Sequence, residues 1–226
     1  MMNLDDLSFT IKNHKKKILI SIFILLAFVL LSFVIPSIVK VITNKNGVEL
    51  LEEPIYLENE TTVSNFEQLH GEISNFENFT YTYALSTWFN INPQPPNTRV
   101  AYGKYTNILN YGNKPSVRFN STKNTLRVQA ETGNGKLINV YTVKDFLPLQ
   151  RWNHIVINYD GGFMDVFLNG ILVASKPNIA PYMHYDDVVV GENNGLEGGV
   201  RNVNYYDRIL TRHEVFLEYN MLRGRQ

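Results

Sequence analysis

Trp152-Asn-His-Ile-Val-Ile-Asn-Tyr-Asp-Gly-Gly-Phe-Met-Asp-Val-Phe-Leu-Asn-Gly-Ile-Leu-Val-Ala-Ser175 is the stretch that decides the fold of this chain. Asn169-Gly170 supplies the two positive φ angles of a type I′ turn, so Met164–Leu168 and Ile171–Ser175 are predicted to form a tight hairpin. Asp160-Gly161-Gly162 makes a second turn just before it, which extends the hairpin to a three-strand meander from Asn153 to Ser175. Trp152, Ile155, Ile157 and Tyr159 are read as the buried face of the first of these strands.

Outward from the meander the pattern repeats. Short apolar or alternating runs are separated by turn residues at Tyr81–Phe89, Asn107–Tyr111, Ser116–Phe119, Thr125–Ala130, Leu137–Val143, Asp187–Val190 and Gly199–Tyr206. Strands at this spacing with no helices between them predict an all-β antiparallel sandwich or barrel. Near the end, Thr211 followed by Glu214 forms a capping box, and Val215, Leu217 and Tyr219 follow, so a short C-terminal helix is expected.

The N-terminal part is different in kind. The chain is uncharged from Ile18 to Val39, and Leu25 and Leu31 lie in the middle of that apolar run. About 20 apolar residues suffice for a helix to cross the hydrocarbon core of a bilayer. Ser21 and Ser32 are the polar members of its centre, and each hydroxyl can bond a carbonyl one turn back. The run is longer than the apolar part of a signal peptide and lacks a small-x-small cleavage site. The organisation expected is a basic tail (1–17), a membrane anchor (18–42), a polar linker (43–53) and one β domain (54–226). Lys12, Lys15, Lys16 and Lys17 against Lys40 and Lys45 place the tail in the cytosol and the domain across the membrane.

Composition narrows the function. Formal net charge is zero, and the part beyond the anchor is slightly acidic, so no basic field exists to hold nucleic acid. The chain has no cysteine, which fits either a large domain whose core needs no disulfide or a domain folded in a reducing compartment. Sequons at Asn59, Asn78 and Asn120 are as many as chance order gives and say nothing about compartment.

Several quoted segments carry a resemblance. The meander, together with Val188-Val-Val-Gly191, Gly198-Gly-Val-Arg-Asn-Val-Asn-Tyr-Tyr-Asp-Arg-Ile-Leu-Thr211 and Glu214-Val-Phe-Leu-Glu-Tyr219, resembles the concanavalin A-like lectin/glucanase superfamily, closest to its laminin-G/pentraxin-like branch. The resemblance runs from about Tyr81 to Asn220 and implies a jelly roll of two antiparallel sheets with first and last strands adjacent. The overall layout, a basic tail, one span and a cysteine-free domain rich in Asn and Tyr, is similar to membrane-anchored virion proteins of large nucleocytoplasmic DNA viruses. The segments Phe89-Asn-Ile-Asn-Pro-Gln-Pro-Pro-Asn97 and Tyr105-Thr-Asn-Ile-Leu-Asn-Tyr-Gly-Asn-Lys-Pro115 contribute to that likeness.

Chemistry is sparse. The superfamily's glucanases use a Glu-x-Asp-x-(x)-Glu strand, and no Glu here has Asp two residues later. His213-Glu214 begins a zinc-peptidase motif, but Leu217 stands where the second histidine belongs. No catalytic residue, metal site or cofactor is expected. His154 reads as a packed or hydrogen-bonded residue. One loop cluster, Tyr182, His184, Asp186, Asp187 and Asn193, gathers aromatics, acids and amides of the kind that hold calcium or sugar. The expected partners are the lipid bilayer and neighbouring structural proteins, with capsid proteins among them, and glycan as the alternative. Nucleic acid is excluded.

Overall fold

In the computed structural model, residues 16–34, 47–70, 82–93, 100–144, 147–180 and 186–223 are described. The chain divides into two compact units, Met1–Lys45 and Asn46–Gln226. In the first, helix α1 (Lys16–Val34) has a mean hydropathy of 2.8, and none of it is buried by protein. By length and composition it can cross a membrane. The Ser32 hydroxyl donates to the Val29 carbonyl at 2.6 Å, which neutralises the polar group inside an apolar helix. Ile18, Leu25 and Leu31 lie on α1, while Val39 lies outside the described residues.

The second unit is a two-sheet antiparallel sandwich. Its strands are β1 (Gly47–Leu51), β2 (Ile55–Tyr56), β3 (Thr61–Ser64), β4 (Tyr83–Ile91), β5 (Thr106–Tyr111), β6 (Ser116–Asn120), β7 (Thr125–Glu131), β8 (Leu137–Lys144), β9 (Asn153–Asp160), β10 (Phe163–Leu168), β11 (Ile171–Lys176), β12 (Val188–Val190) and β13 (Gly198–Tyr206). Sheet A runs β1-β13-β4-β9-β10-β11 with β2 also on β13, and sheet B runs β3-β12-β5-β6-β7-β8. First and last strands pair, Gly47 with Tyr206, so the jelly-roll expectation holds. A short helix α2 (Phe66–His70) and the C-terminal helix α3 (Arg212–Leu222) complete the unit.

The meander folds as its turns dictate. Asn169 and Gly170 have φ of 51° and 81°, and Leu168 pairs with Ile171 across them, the geometry of a type I′ turn. Asn169 also locks the turn to β9: its backbone N–H donates to the His154 carbonyl at 2.8 Å and its Oδ1 accepts the His154 N–H at 2.9 Å. Between the sheets lie Leu85, Phe89, Ile108, Phe119, Leu126, Val128, Ile155, Ile157, Val166 and Val203, all buried. Each such side chain contributes roughly 1.5–3 kcal/mol by leaving water. Tyrosines fill one part of this core. The Tyr83 ring stacks on Tyr159 at 5.5 Å and on Tyr205 at 6.2 Å, meets Tyr111 edge-on at 6.0 Å, and its hydroxyl donates to the Lys114 carbonyl.

Two readings of the sequence need correction. The linker expected at 43–53 contains β1, and the compact unit begins at Asn46 rather than at residue 54. Gly47–Leu51 shows little strand pattern of its own, but the nine-residue β13 offers an open edge and β1 pairs with it. The second concerns β9. Its alternate residues His154, Val156 and Asn158 are buried too, because α3 and Leu210 cover the outer face of sheet A. Trp152 precedes the strand and is half-exposed rather than part of the inter-sheet core. On α3 the fully buried positions are Val215 and Glu218, while Phe216 is 55% exposed. The capping box is present as expected, with the Glu214 N–H donating to Thr211 and the Thr211 N–H donating to Glu214.

Candidate functional site

The loop cluster expected from the sequence does not assemble as one site among the described residues. Tyr182 and His184 lie outside them. Asp186 and Asp187 precede β12, whereas Asn193 follows it. At about 3.3 Å per residue, the strand holds these groups on the order of 10 Å apart. Asp186 and Asn193 each have a structural employment. The Asp186 carboxylate pairs with the Lys114 ammonium, whose residue is only 2% exposed and needs a counter-charge. Beside it, burial and then the Asp186 charge push the Tyr111 hydroxyl pKa well above its ordinary value. Asn193 Oδ1 accepts the Glu60 N–H at 3.2 Å. Asp187 is exposed. Glu192, next to Asn193, accepts the Asn107 N–H at 3.0 Å and pairs with Lys104. Burial alone would raise the Glu192 pKa, but Lys104, the Asn107 N–H and the Arg118 charge bring it below the ordinary value. No three His, Asp or Glu side chains gather as a metal site among the described residues.

A second cluster was not legible in the sequence. On the outer face of sheet A, Ser86 of β4 and His154 of β9 meet Glu218 of α3. Ser86 Oγ lies 2.9 Å from His154 Nε2 and donates to Glu218 Oε1 at 2.7 Å. His154 Nε2 is 3.6 Å from the same carboxylate oxygen. Because the serine proton goes to Glu218, the histidine must carry its proton on Nε2 and donate to Ser86 Oγ. The residue types match a hydrolase triad, but the connections do not. A catalytic acid orients the histidine through Nδ1 and leaves Nε2 to take the serine proton. Here the acid sits on the Nε2 side, and Nδ1 has no partner. Ser86 and His154 are fully buried under α3, so the group joins helix to sheet and has no access for substrate. The His154 ring lies near-parallel to the Trp88 ring at 4.8 Å and to the Tyr219 ring at 6.3 Å. The expectation for His154, packed and hydrogen-bonded, is met.

Beyond the Trp88–Tyr219 contact with α3, the outer face of sheet A is partly exposed among the described residues. Gly199 and Arg201 of β13 stand there with Asn90 of β4, flanked by Trp152 and by Tyr56 of β2, while Trp88 of β4 is fully buried beside them. Gly199 pairs with Tyr56 on one side and Asn90 on the other, and Arg201 pairs with Trp88. The Arg201 guanidinium lies over the Trp152 ring at 4.3 Å. Tyr56 is 78% exposed, and Gly199, Arg201, Asn90 and Trp152 are half-buried. Arg201 Nε, Asn90 Oδ1 and Trp88 Nε1 are buried without a hydrogen-bond partner. Sequence parity puts Arg201 and Gly199 on one face of a strand. It could not say that Trp152 and Tyr56, from distant segments, would flank them.

The outer face of sheet B is built differently. Arg118 and Arg127 are cross-strand partners there, and Arg127 lies over the Tyr105 ring at 3.8 Å while donating to its hydroxyl at 2.9 Å. No strand among the described residues carries two carboxylates, so the single-strand Glu-x-Asp-x-(x)-Glu arrangement of the superfamily's glucanases is not found among them.

Two antiparallel sheets with adjacent terminal strands, a closing C-terminal helix and no paired acids on a strand define a lectin-like jelly roll. The model of the concanavalin A-like lectin/glucanases superfamily matches residues 65–216, two thirds of the sequence, and the chain belongs to that superfamily. No curated protein matches it in sequence. Among solved structures it is similar to the binding domain of Botulinum Neurotoxin DC in complex with SialylT, with TM-score 0.56 and 12% identity over 80% of this chain and 52% of that one. It is also similar to the binding domain of Paraclostridial Mosquitocidal Protein 1, with TM-score 0.53 and 17% identity over 78% and 47% of the two chains. The receptor binding domain of Botulinum Neurotoxin Type G gives TM-score 0.52 and 15% identity over 76% and 45%. The chain thus spans about half the length of these structures, and at such identities the likeness establishes the fold alone.

Proposed function

We propose that this protein is a non-enzymatic binding domain, held at a membrane by α1, that acts through contact with neighbouring proteins. The observation that carries the reading is a pair of exposed apolar side chains beside one edge of the sandwich. Ile171 of β11 is 67% exposed, and Phe216 of α3, a helix that packs against β11, is 55% exposed. β11 is also the edge strand of sheet A, with no further strand paired to it among the described residues. Large apolar side chains beside an open edge suit a protein partner. Confinement of both partners to one membrane raises their effective concentration, so a modest interface suffices. The sequence layout and the absence of cysteine favour structural proteins of a large DNA-virus particle as those partners, with the tail of residues 1–17 on the cytosolic side.

The test is crosslinking with mass spectrometry on native membranes or particles. Lys176 ends β11, is exposed, and should report the neighbour; Lys114 is buried against Asp186 and should not react. Absence of Lys176 crosslinks to any other protein would sink the reading. Digestion of the sandwich from the cytosolic side of sealed vesicles would reverse the proposed orientation.

A second reading, glycan recognition, is favoured by the open aromatic and amide surface of sheet A and by the SialylT complex of a domain with the same fold.

A further inference from the structure

The geometry points to a site for a carboxylated sugar residue on the open half of sheet A's outer face, with Arg201 taking the carboxylate and Trp152 and Tyr56 flanking the ring. This rests on the glycan-binding reading and gives it a place. Three features carry it. Arg201 forms no ion pair with a carboxylate among the described residues, its Nε is buried without a hydrogen-bond partner, and burial lowers its pKa. A partly desolvated cation without a counter-charge is costly, and an arriving carboxylate removes that cost through two parallel N–H···O bonds. Arg201 lying over Trp152 presents its guanidinium edge in a fixed orientation.

The second feature is shape. The Trp152 ring edge reaches over Gly199, where a Cβ would stand 3.4 Å from Trp152 Cη2 and 3.3 Å from the Ile55 carbonyl. With the exposed Tyr56 beside it, this makes an aromatic shelf. Such aromatic faces accept the C–H face of a pyranose. Asn90, paired with Gly199, is half-buried at this shelf, with its Oδ1 buried and without a hydrogen-bond partner.

The third feature excludes a peptide strand. Extended peptides bind sheets by extending an edge through main-chain hydrogen bonds. Here both edges of β13 are occupied, by β4 on one side and by β1 and β2 on the other. The shelf offers side chains and a flat face, which select a ring. A single cation selects one carboxylate rather than a polyanion.

The test uses the full chain in detergent micelles, titrated with 3′-sialyllactose, with lactose as the neutral control and with a tetraglutamate peptide. Binding is read by saturation-transfer NMR and by fluorescence of the two tryptophans, one of which is Trp152. Sialyllactose should bind at least about tenfold tighter than lactose, and tetraglutamate should not compete. R201Q should lose about tenfold and Y56A, at an exposed position, several-fold, while R127Q on sheet B changes nothing. R201K keeps the charge but not the paired hydrogen bonds and should fall between, and it serves if R201Q fails to fold. Equal binding of lactose, or competition by tetraglutamate that depends on Arg201, would overturn the proposal. If sialyllactose binds and both Y56A and the Arg201 variants bind it normally, the site is wrong while glycan recognition stands. If no saccharide on an array binds at millimolar concentration, both fail.

Discussion

Replacing Gly170 by valine should cost the sandwich about 2–3 kcal/mol, and the two sources of that cost can be separated. Gly170 has φ of 81°, where an L-residue is strained by roughly 1–2 kcal/mol and a β-branched one lies at the upper end. A Cβ at this position would also stand 3.1 Å from Tyr219 Cδ1 and 3.3 Å from Cγ, closer than ordinary contact. Tyr219 is stacked on Trp88 at 5.8 Å, nearly parallel, and displacing it loses a contact worth roughly 0.5–1.5 kcal/mol. In a domain of this size each kcal/mol moves the melting midpoint by about 2–4 °C, so Gly170→Val should lower it by roughly 5–10 °C. Circular dichroism of the full chain in micelles measures this. Tyr219→Ala combined with Gly170→Val should cost less than the sum of the single changes, because the clash is gone. A Gly170→Val midpoint within about 1 °C of the parent would refute both the turn type and the packing. Additive single changes would refute the contact with Tyr219 alone.

Three further outcomes follow from the described geometry. Ser86→Ala removes the hydroxyl that links His154 to the buried Glu218 and should destabilise by about 1–3 kcal/mol without changing any hydrolytic background, as urea melts and an esterase assay would show. Glu192 and Glu214 have pKa values below the ordinary 4.5: burial raises each, but Lys104 with the Asn107 N–H, and Arg208 with Thr211, outweigh it. Their stabilisation is complete above the unfolded value and is lost as pH falls through the lower folded values. Stability should therefore drop below about pH 4.5, and Glu214→Gln should flatten that acid limb. Finally, a calcium chelator should leave the melting midpoint unchanged, since Asp186 is paired with Lys114 and Asn193 with the Glu60 N–H; a fall of many degrees would restore the loops as a metal site.

The sequence by itself determined the local and periodic features. Asn169-Gly170 required positive φ and named its turn, Thr211 and Glu214 named a helix start, and the alternation from Asn107 to Ser175 named most of the strands. The uncharged run from Ile18 determined a helix that no protein surface covers. These are legible because each depends on residues a few positions apart. The tertiary structure decided what distant segments do together. Gly47–Leu51 looks like a linker until β13 offers it an edge. His154 lies on a strand face that would be exposed, and only α3, some sixty residues later, makes it buried. Of the expected loop cluster, Asp186 and Asn193 lie at opposite ends of β12, a separation along the strand that closeness in sequence conceals. Arg201, Trp152 and Tyr56 come from three segments and meet only because β2 and β4 pair with the two edges of β13 and Trp152 leads into β9. Strand pairing is set by the free energy of burying a whole sheet face, and no short stretch of sequence carries that quantity.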